Sequence, residues 1–143
     1  AGDRAGVASM AVSRGAQVVD LNLDGKLDLV VQNRWTGPEV WRQTGEVGGW
    51  IELRLAQDGI NRDAIGAVVE IRRGEAVERH EITSGGGHAS GSVGWLHFGL
   101  GAADAGEFRV LWPDGTEGDW QKLPGRSFQI LRPGAPPETW APG

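Results

Sequence analysis

Apolar and polar residues alternate in short runs along most of this chain, and Gly, Pro, Asp or Asn interrupt the runs at close intervals. Residues 50–55, Trp-Ile-Glu-Leu-Arg-Leu, set Ile51, Leu53 and Leu55 on one side and Trp50, Glu52 and Arg54 on the other, the period of a half-buried strand. The same reading predicts strands over 16–19, 27–32, 39–43, 64–72 with a bulge at Gly66, and 77–83 as an exposed or edge strand. Further strands are predicted over 95–101, 107–112, 116–120 and 127–131. Only Ala102, Ala103 and Asp104 could make a turn of helix, and residues 1–8 carry no period. The Gly-rich stretch 44–49 reads as a linker. It divides the chain into residues 1–48, residues 49–133 and a Pro- and Gly-rich tail, 134–143, expected to be flexible. The expected fold is all-β. A short meander precedes a compact antiparallel β-sandwich or open barrel of six or seven strands.

Composition sharpens this picture in a few places. The 24 glycines among 143 residues suit tight turns between many strands. No cysteine is present, which removes disulfides and thiolate sites. Fourteen basic against nineteen acidic side chains leave a net charge of −5, and no basic run exceeds two residues, so nucleic acid is not an expected partner. No apolar run has the length of a membrane span. The chain starts at Ala1 without an initiator Met and reads as part of a longer protein.

The most informative stretch is residues 20–28, Asp-Leu-Asn-Leu-Asp-Gly-Lys-Leu-Asp. Asp20, Asn22, Asp24 and Asp28 stand at places one, three, five and nine, with Gly25 at place six. A hard cation needs six to eight oxygens, and this spacing turns alternate side chains toward one centre while glycine allows the bend. Lys26 could contribute only its backbone carbonyl. Place twelve is Val31, where an EF-hand has its bidentate Glu, and the flanks are β-branched. The expectation is therefore a calcium hairpin between strands, with Asp20, Asn22, Asp24, Lys26 and Asp28 as ligands. An ordinary Asp-Gly turn is the plain alternative.

Elsewhere the chemistry is sparse. His80, His88 and His97 lack the spacing of a zinc site. Ser90, His88 and Asp63 could be named as a triad, but nothing in the sequence gathers them. The run Gly85, Gly86 and Gly87 has neither the lysine nor the helix of a phosphate loop. Asn61, Arg62 and Asp63 suggest a loop clamped by an Arg–Asp pair, or a polar rim for a glycan or protein ligand. Trp95, Trp112 and Trp120 could stack on such a ligand, although Trp112 suits the core better. Arg62, His88 and Trp95 are the candidate ligand-binding residues.

Residues 16–43, through the Asp20 to Asp28 loop and Leu29, Val30 and Val31, resemble an FG-GAP/VCBS repeat, one blade of a calcium-decorated β-propeller. Residues 49–132 resemble the ASPIC/UnbV domain. That likeness rests on the 50–55 strand, on Asn61-Arg62-Asp63-Ala64-Ile65-Gly66-Ala67, on Leu96-His97-Phe98-Gly99-Leu100-Gly101 and on Trp112-Pro113-Asp114-Gly115. The loop at 84–94 departs from the family pattern, reading Gly87-His88-Ala89-Ser90-Gly91. The order of the two regions is similar to the C-terminal part of cartilage acidic protein-like proteins and their bacterial relatives. The resemblance implies a calcium-binding recognition or structural module, not an enzyme by itself. Its partners would be a preceding propeller portion or another copy, with a glycan or protein ligand. It also implies an extracellular or periplasmic setting. The alternative implied is a component of an enediyne-type secondary-metabolite pathway, which would place it in the cytoplasm.

Overall fold

The computed structural model describes residue 4 and residues 6–87, 90–92 and 94–143. Thirteen strands follow in chain order: β1 Val12–Val19, β2 Asp28–Arg34, β3 Glu39–Trp41, β4 Gly49–Leu55, β5 Val68–Arg73, β6 Ala76–Glu81, β7 Gly86–Gly87, β8 Ser90–Gly91, β9 Leu96–Gly101, β10 Ala105–Leu111, β11 Gln121–Pro124, β12 Ser127–Leu131 and β13 Glu138–Trp140. The all-β expectation holds, and no sheet closes into a barrel. Two compact units result, residues 1–45 with 85–92, and residues 46–84 with 93–143.

The first unit is an antiparallel meander in the order β1-β2-β3, with the two-residue strands β7 and β8 paired beside each other. β1 is twice as long as the sequence pattern suggested. It runs back from Val19 to Val12 through a bulge between Ser13 and Gly15, which lets a polar, low-propensity stretch stay paired. Val31 and Asn33 are buried, but Val12, Val18 and Val40 remain exposed. A three-stranded sheet buries little apolar surface by its own means.

The second unit is a sandwich of two four-stranded sheets, β11-β10-β5-β6 and β13-β12-β4-β9. Ile51, Leu53 and Leu55 of β4, Phe98 of β9 and Leu131 of β12 meet Val69 and Ile71 of β5, Phe108 and Val110 of β10 and Leu123 of β11 in one core. Phe98 and Phe108 cross it edge to face, centroids 5.3 Å apart. β10 alternates as expected, burying Gly106, Phe108 and Val110. Gly106 lies against the Phe108 ring, where a side chain would collide.

Several expectations need correction. The second unit has eight strands, and its pairing is not wholly antiparallel, because β12 lies parallel to β4 in the register Ser127 to Ile51 through Leu131 to Leu55. β4 is buried on both faces apart from Arg54. Trp50 is covered by Phe128 edge to face and by His97 stacked above it. The strand expected over 64–72 starts only at Val68, because Asn61 ties residues 61–65 into a turn and Gly66 takes a φ of +89°. The strand expected over 116–120 is reduced to one bridge, Leu111 to Glu117, and the pairing partner of β10 is instead β11 at Gln121–Pro124. The segment 134–143, expected as a flexible tail, carries β13. Trp140 there packs on Phe128 and Trp95, which gives the strand an aromatic anchor. β6 is fully exposed and forms a sheet edge, as its polar sequence suggested, and its charges guard that edge. Among the described residues no helix is long and apolar enough to cross a membrane.

Candidate cation loop and ligand-facing residues

The turn between β1 and β2 is folded around its own carboxylates. Asp20 is 6 % exposed and Asp28 3 %. Asp20 accepts the N–H of Asp24 on one oxygen (3.1 Å) and the N–H of Gly25 on the other (2.6 Å). That wraps the chain back over residue 20, and Gly25 at φ +81° with Leu23 at φ +59° makes the bend. Asp28, at the start of β2, accepts the N–H of Leu21 (3.3 Å) and that of Gln43 beyond β3 (2.8 Å), so it fastens both ends of the meander.

Asp24 points elsewhere. Its oxygens accept from the Asn22 amide (2.9 Å), the Lys26 N–H (3.0 Å) and the Arg42 guanidinium (3.2 Å). These bonds, led by that from Asn22, hold its carboxyl below the ordinary aspartate range. Asp24, Asn22 and Lys26 thus belong to the turn, but the three carboxylates do not converge as a set of metal ligands among the described residues.

The donor chemistry nonetheless suits a hard cation at Asp20 and Asp28. Each of their four oxygens accepts one N–H and keeps a second lone pair. Among the described residues no Lys, Arg or His nitrogen lies within ion-pair distance of either carboxylate. Two buried anions without a cationic partner are costly as they stand. Arg42 was not among the sequence candidates. It lies fourteen positions beyond Asp28 (42 − 28), and only the β2–β3 turn brings it back to the loop.

The other candidates are dispersed. Arg62 is exposed on the loop after β4. The clamp there is Asn61, whose side chain accepts the Ile65 N–H and donates to the Ile65 carbonyl, both at 2.9 Å. Gln57 braces the same turn by donating to the Asn61 carbonyl (2.7 Å). Asp63 lies near Arg54, at 3.9 Å, and so the expected Arg–Asp lock is replaced by an Asn clamp. Trp95 is half-buried with its ring on Phe128 and Trp140, centroids 5.2 and 5.3 Å away. Trp112 is a core residue, as expected. Trp120 is roofed by Arg72 at 4.1 Å and Arg109 at 5.1 Å. His88 lies outside the described residues.

Glu70 carries no local sequence signal of its role. On β5, 3 % exposed, it pairs with Arg109 of β10 and with Arg79 of β6 (2.7 Å). The bond from Arg109 is the main reason its carboxyl titrates below the ordinary glutamate range. A family model described as ASPIC and UnbV matches residues 57–137. No curated protein matches the chain.

Proposed function

The chain belongs to the ASPIC and UnbV family, and on that footing we propose that it is a calcium-stabilised recognition module, a part of a larger protein with no chemistry of its own. The observation that supports this best is the pair Asp20 and Asp28, buried, ringed by backbone N–H groups and without a cationic partner among the described residues. Asp20, Asn22, Asp24 and Asp28 would hold the ion through side-chain oxygens, and Lys26 through its carbonyl. The ion would supply positive charge that the turn lacks and would fix the β1–β2 connection. Arg42 occupies Asp24 meanwhile, so its guanidinium competes with the ion for that carboxylate.

The exposed Val12, Val18 and Val40 on the β1-β2-β3 sheet support the finer reading of this unit as one repeat of an FG-GAP/VCBS-like array. Val12 and Val40 lie on the Val30 face of the sheet and Val18 on the opposite face, so neighbouring repeats or copies on both sides would cover them. Melting with millimolar calcium against EDTA tests the proposal. Calcium raises Tm in the wild type, Asp28→Asn abolishes the difference, and Arg42→Gln enlarges it. Identical melting curves in calcium and EDTA would overturn the reading.

A further inference from the structure

The second unit carries two kinds of arginine. On the β11-β10-β5-β6 sheet, Arg72 donates to Glu107 (2.9 Å), and Arg79 and Arg109 grip Glu70. These guanidiniums are already spent. Arg54 of β4, Arg62 of the following loop and Arg132 just past β12 are different. They line one depression of about 570 Å³, and among the described residues none of the three donates a side-chain hydrogen bond. Arg54 is ion-paired with Asp63 at 3.9 Å and Arg132 with Glu138 at 3.8 Å, both at the outer edge of ion-pair distance and beyond hydrogen-bond reach. Three planar forks with unused donors in one hollow match the oxygens of a carboxylate or a sulfate.

The surroundings narrow the ligand. Asp58 and Asp63 also line the hollow, with Gln57. Carboxylates interleaved with guanidiniums repel a dense polyanion but suit hydroxyl groups, which both donate and accept. Leu96, the first residue of β9, pairs with Leu53, the neighbour of Arg54, and Trp95 directly precedes it; Trp95 and Trp140 stand together half-buried, tilted 41°. An indole face covers the C–H face of a sugar ring. We propose that this hollow, on the β13-β12-β4-β9 sheet, binds an acidic oligosaccharide, its carboxylate or sulfate held by Arg54, Arg62 and Arg132 and a neighbouring ring stacked on Trp95. The assignment rests on the reading of the chain as a recognition module, and supplies that module's ligand class.

Titration followed by indole fluorescence tests it, with a uronic-acid oligosaccharide, a sulfated oligosaccharide, a neutral glucan oligosaccharide and inorganic sulfate as probes. One or both acidic sugars bind, and the one that binds identifies the anion. The neutral glucan and free sulfate bind at least about 10-fold more weakly, because each lacks half of the contacts. Arg62→Gln with Arg132→Gln weakens the acidic sugar at least about 10-fold, since charge-assisted donors are lost. Arg72→Gln on the opposite sheet leaves binding unchanged. Both arginines of the double variant are exposed and their side chains make no hydrogen bond, so far-UV circular dichroism should match the wild type. Equal binding of the neutral glucan, equal binding of free sulfate, or full affinity in the double variant overturns the site. Each titration is run in calcium and in EDTA alongside melting curves. Lost sugar binding with calcium-dependent melting intact refutes this site alone, and the reverse refutes the calcium reading alone.

Discussion

Glu70→Gln probes the charge network that ties three strands of one sheet. The carboxylate is 3 % exposed, while Arg109 and Arg79 are 28 % and 63 % exposed, so the anion is desolvated and its partners are only partly so. Removing one partner of a fully buried pair costs about 3–5 kcal/mol. Two considerations lower that figure. Both guanidiniums can turn to water, and glutamine keeps an acceptor in the same place. What is lost is the charge assistance of two bonds, about 1 kcal/mol each, giving ~2 kcal/mol. Urea unfolding at pH 7 should then show a midpoint lower by about 1 M for a slope near 2 kcal/mol per M. The pH dependence is the sharper test. The folded carboxyl titrates below its unfolded value, so its stabilisation is complete above the unfolded pKa and is lost as pH falls through the folded one. The wild type and Glu70→Gln should therefore differ at pH 7 and converge once acid has protonated Glu70. A difference that stays constant from neutral to acid, or that is absent at pH 7, would refute the role given to this carboxylate.

Two further substitutions test the packing of the second unit. Phe108→Ala, removing a ring 1 % exposed that meets Phe98 across the core, should cost about 3–5 kcal/mol in urea unfolding; a loss under ~1 kcal/mol would mean the two sheets do not meet there. Gly49→Ala would drive a methyl group into the carbonyl oxygen of Ala103, which is backbone and cannot yield. Its melting temperature should fall by several degrees, and an unchanged value would contradict the register of β4 on β9.

The strands that could be read from the sequence are those whose environment is two-sided. β10 buries every second residue, and β6 buries none, so each shows its place directly. β4 misled because Trp50 and Glu52 look like an outward face, yet Phe128, 76 residues beyond its register partner Glu52 (128 − 52), lies against them. No local period reports a parallel partner that arrives from so far along the chain. β13 was hidden for a similar reason. Its Pro- and Gly-rich surroundings signal a loose end, and only the contact of Trp140 with Phe128 and Trp95 anchors it. The turn at residues 20–28 was legible, because it is local and its glycine sits where the bend falls. Arg62 stood out in its Asn-Arg-Asp run, but Arg42 and the grouping of Arg54 and Arg132 with Arg62 were not legible. Turns and register assemble those residues, and Arg42, Arg54 and Arg132 are not distinctive in their own neighbourhoods of sequence.

Isothermal titration with calcium measures directly whether the turn from Asp20 to Asp28 holds a divalent ion. One site per chain is expected, with a Kd between about 10⁻⁵ and 10⁻³ M, toward the weak end of the range for calcium loops. At a hundredfold excess over Kd such a site adds about 2.7 kcal/mol to stability. Asp20→Asn and Asp28→Asn should each abolish the heat, and Arg42→Gln should tighten binding. A folded wild-type chain that gives no heat at several times 10⁻³ M calcium, or that binds equally well after both aspartates are replaced, would contradict the calcium reading.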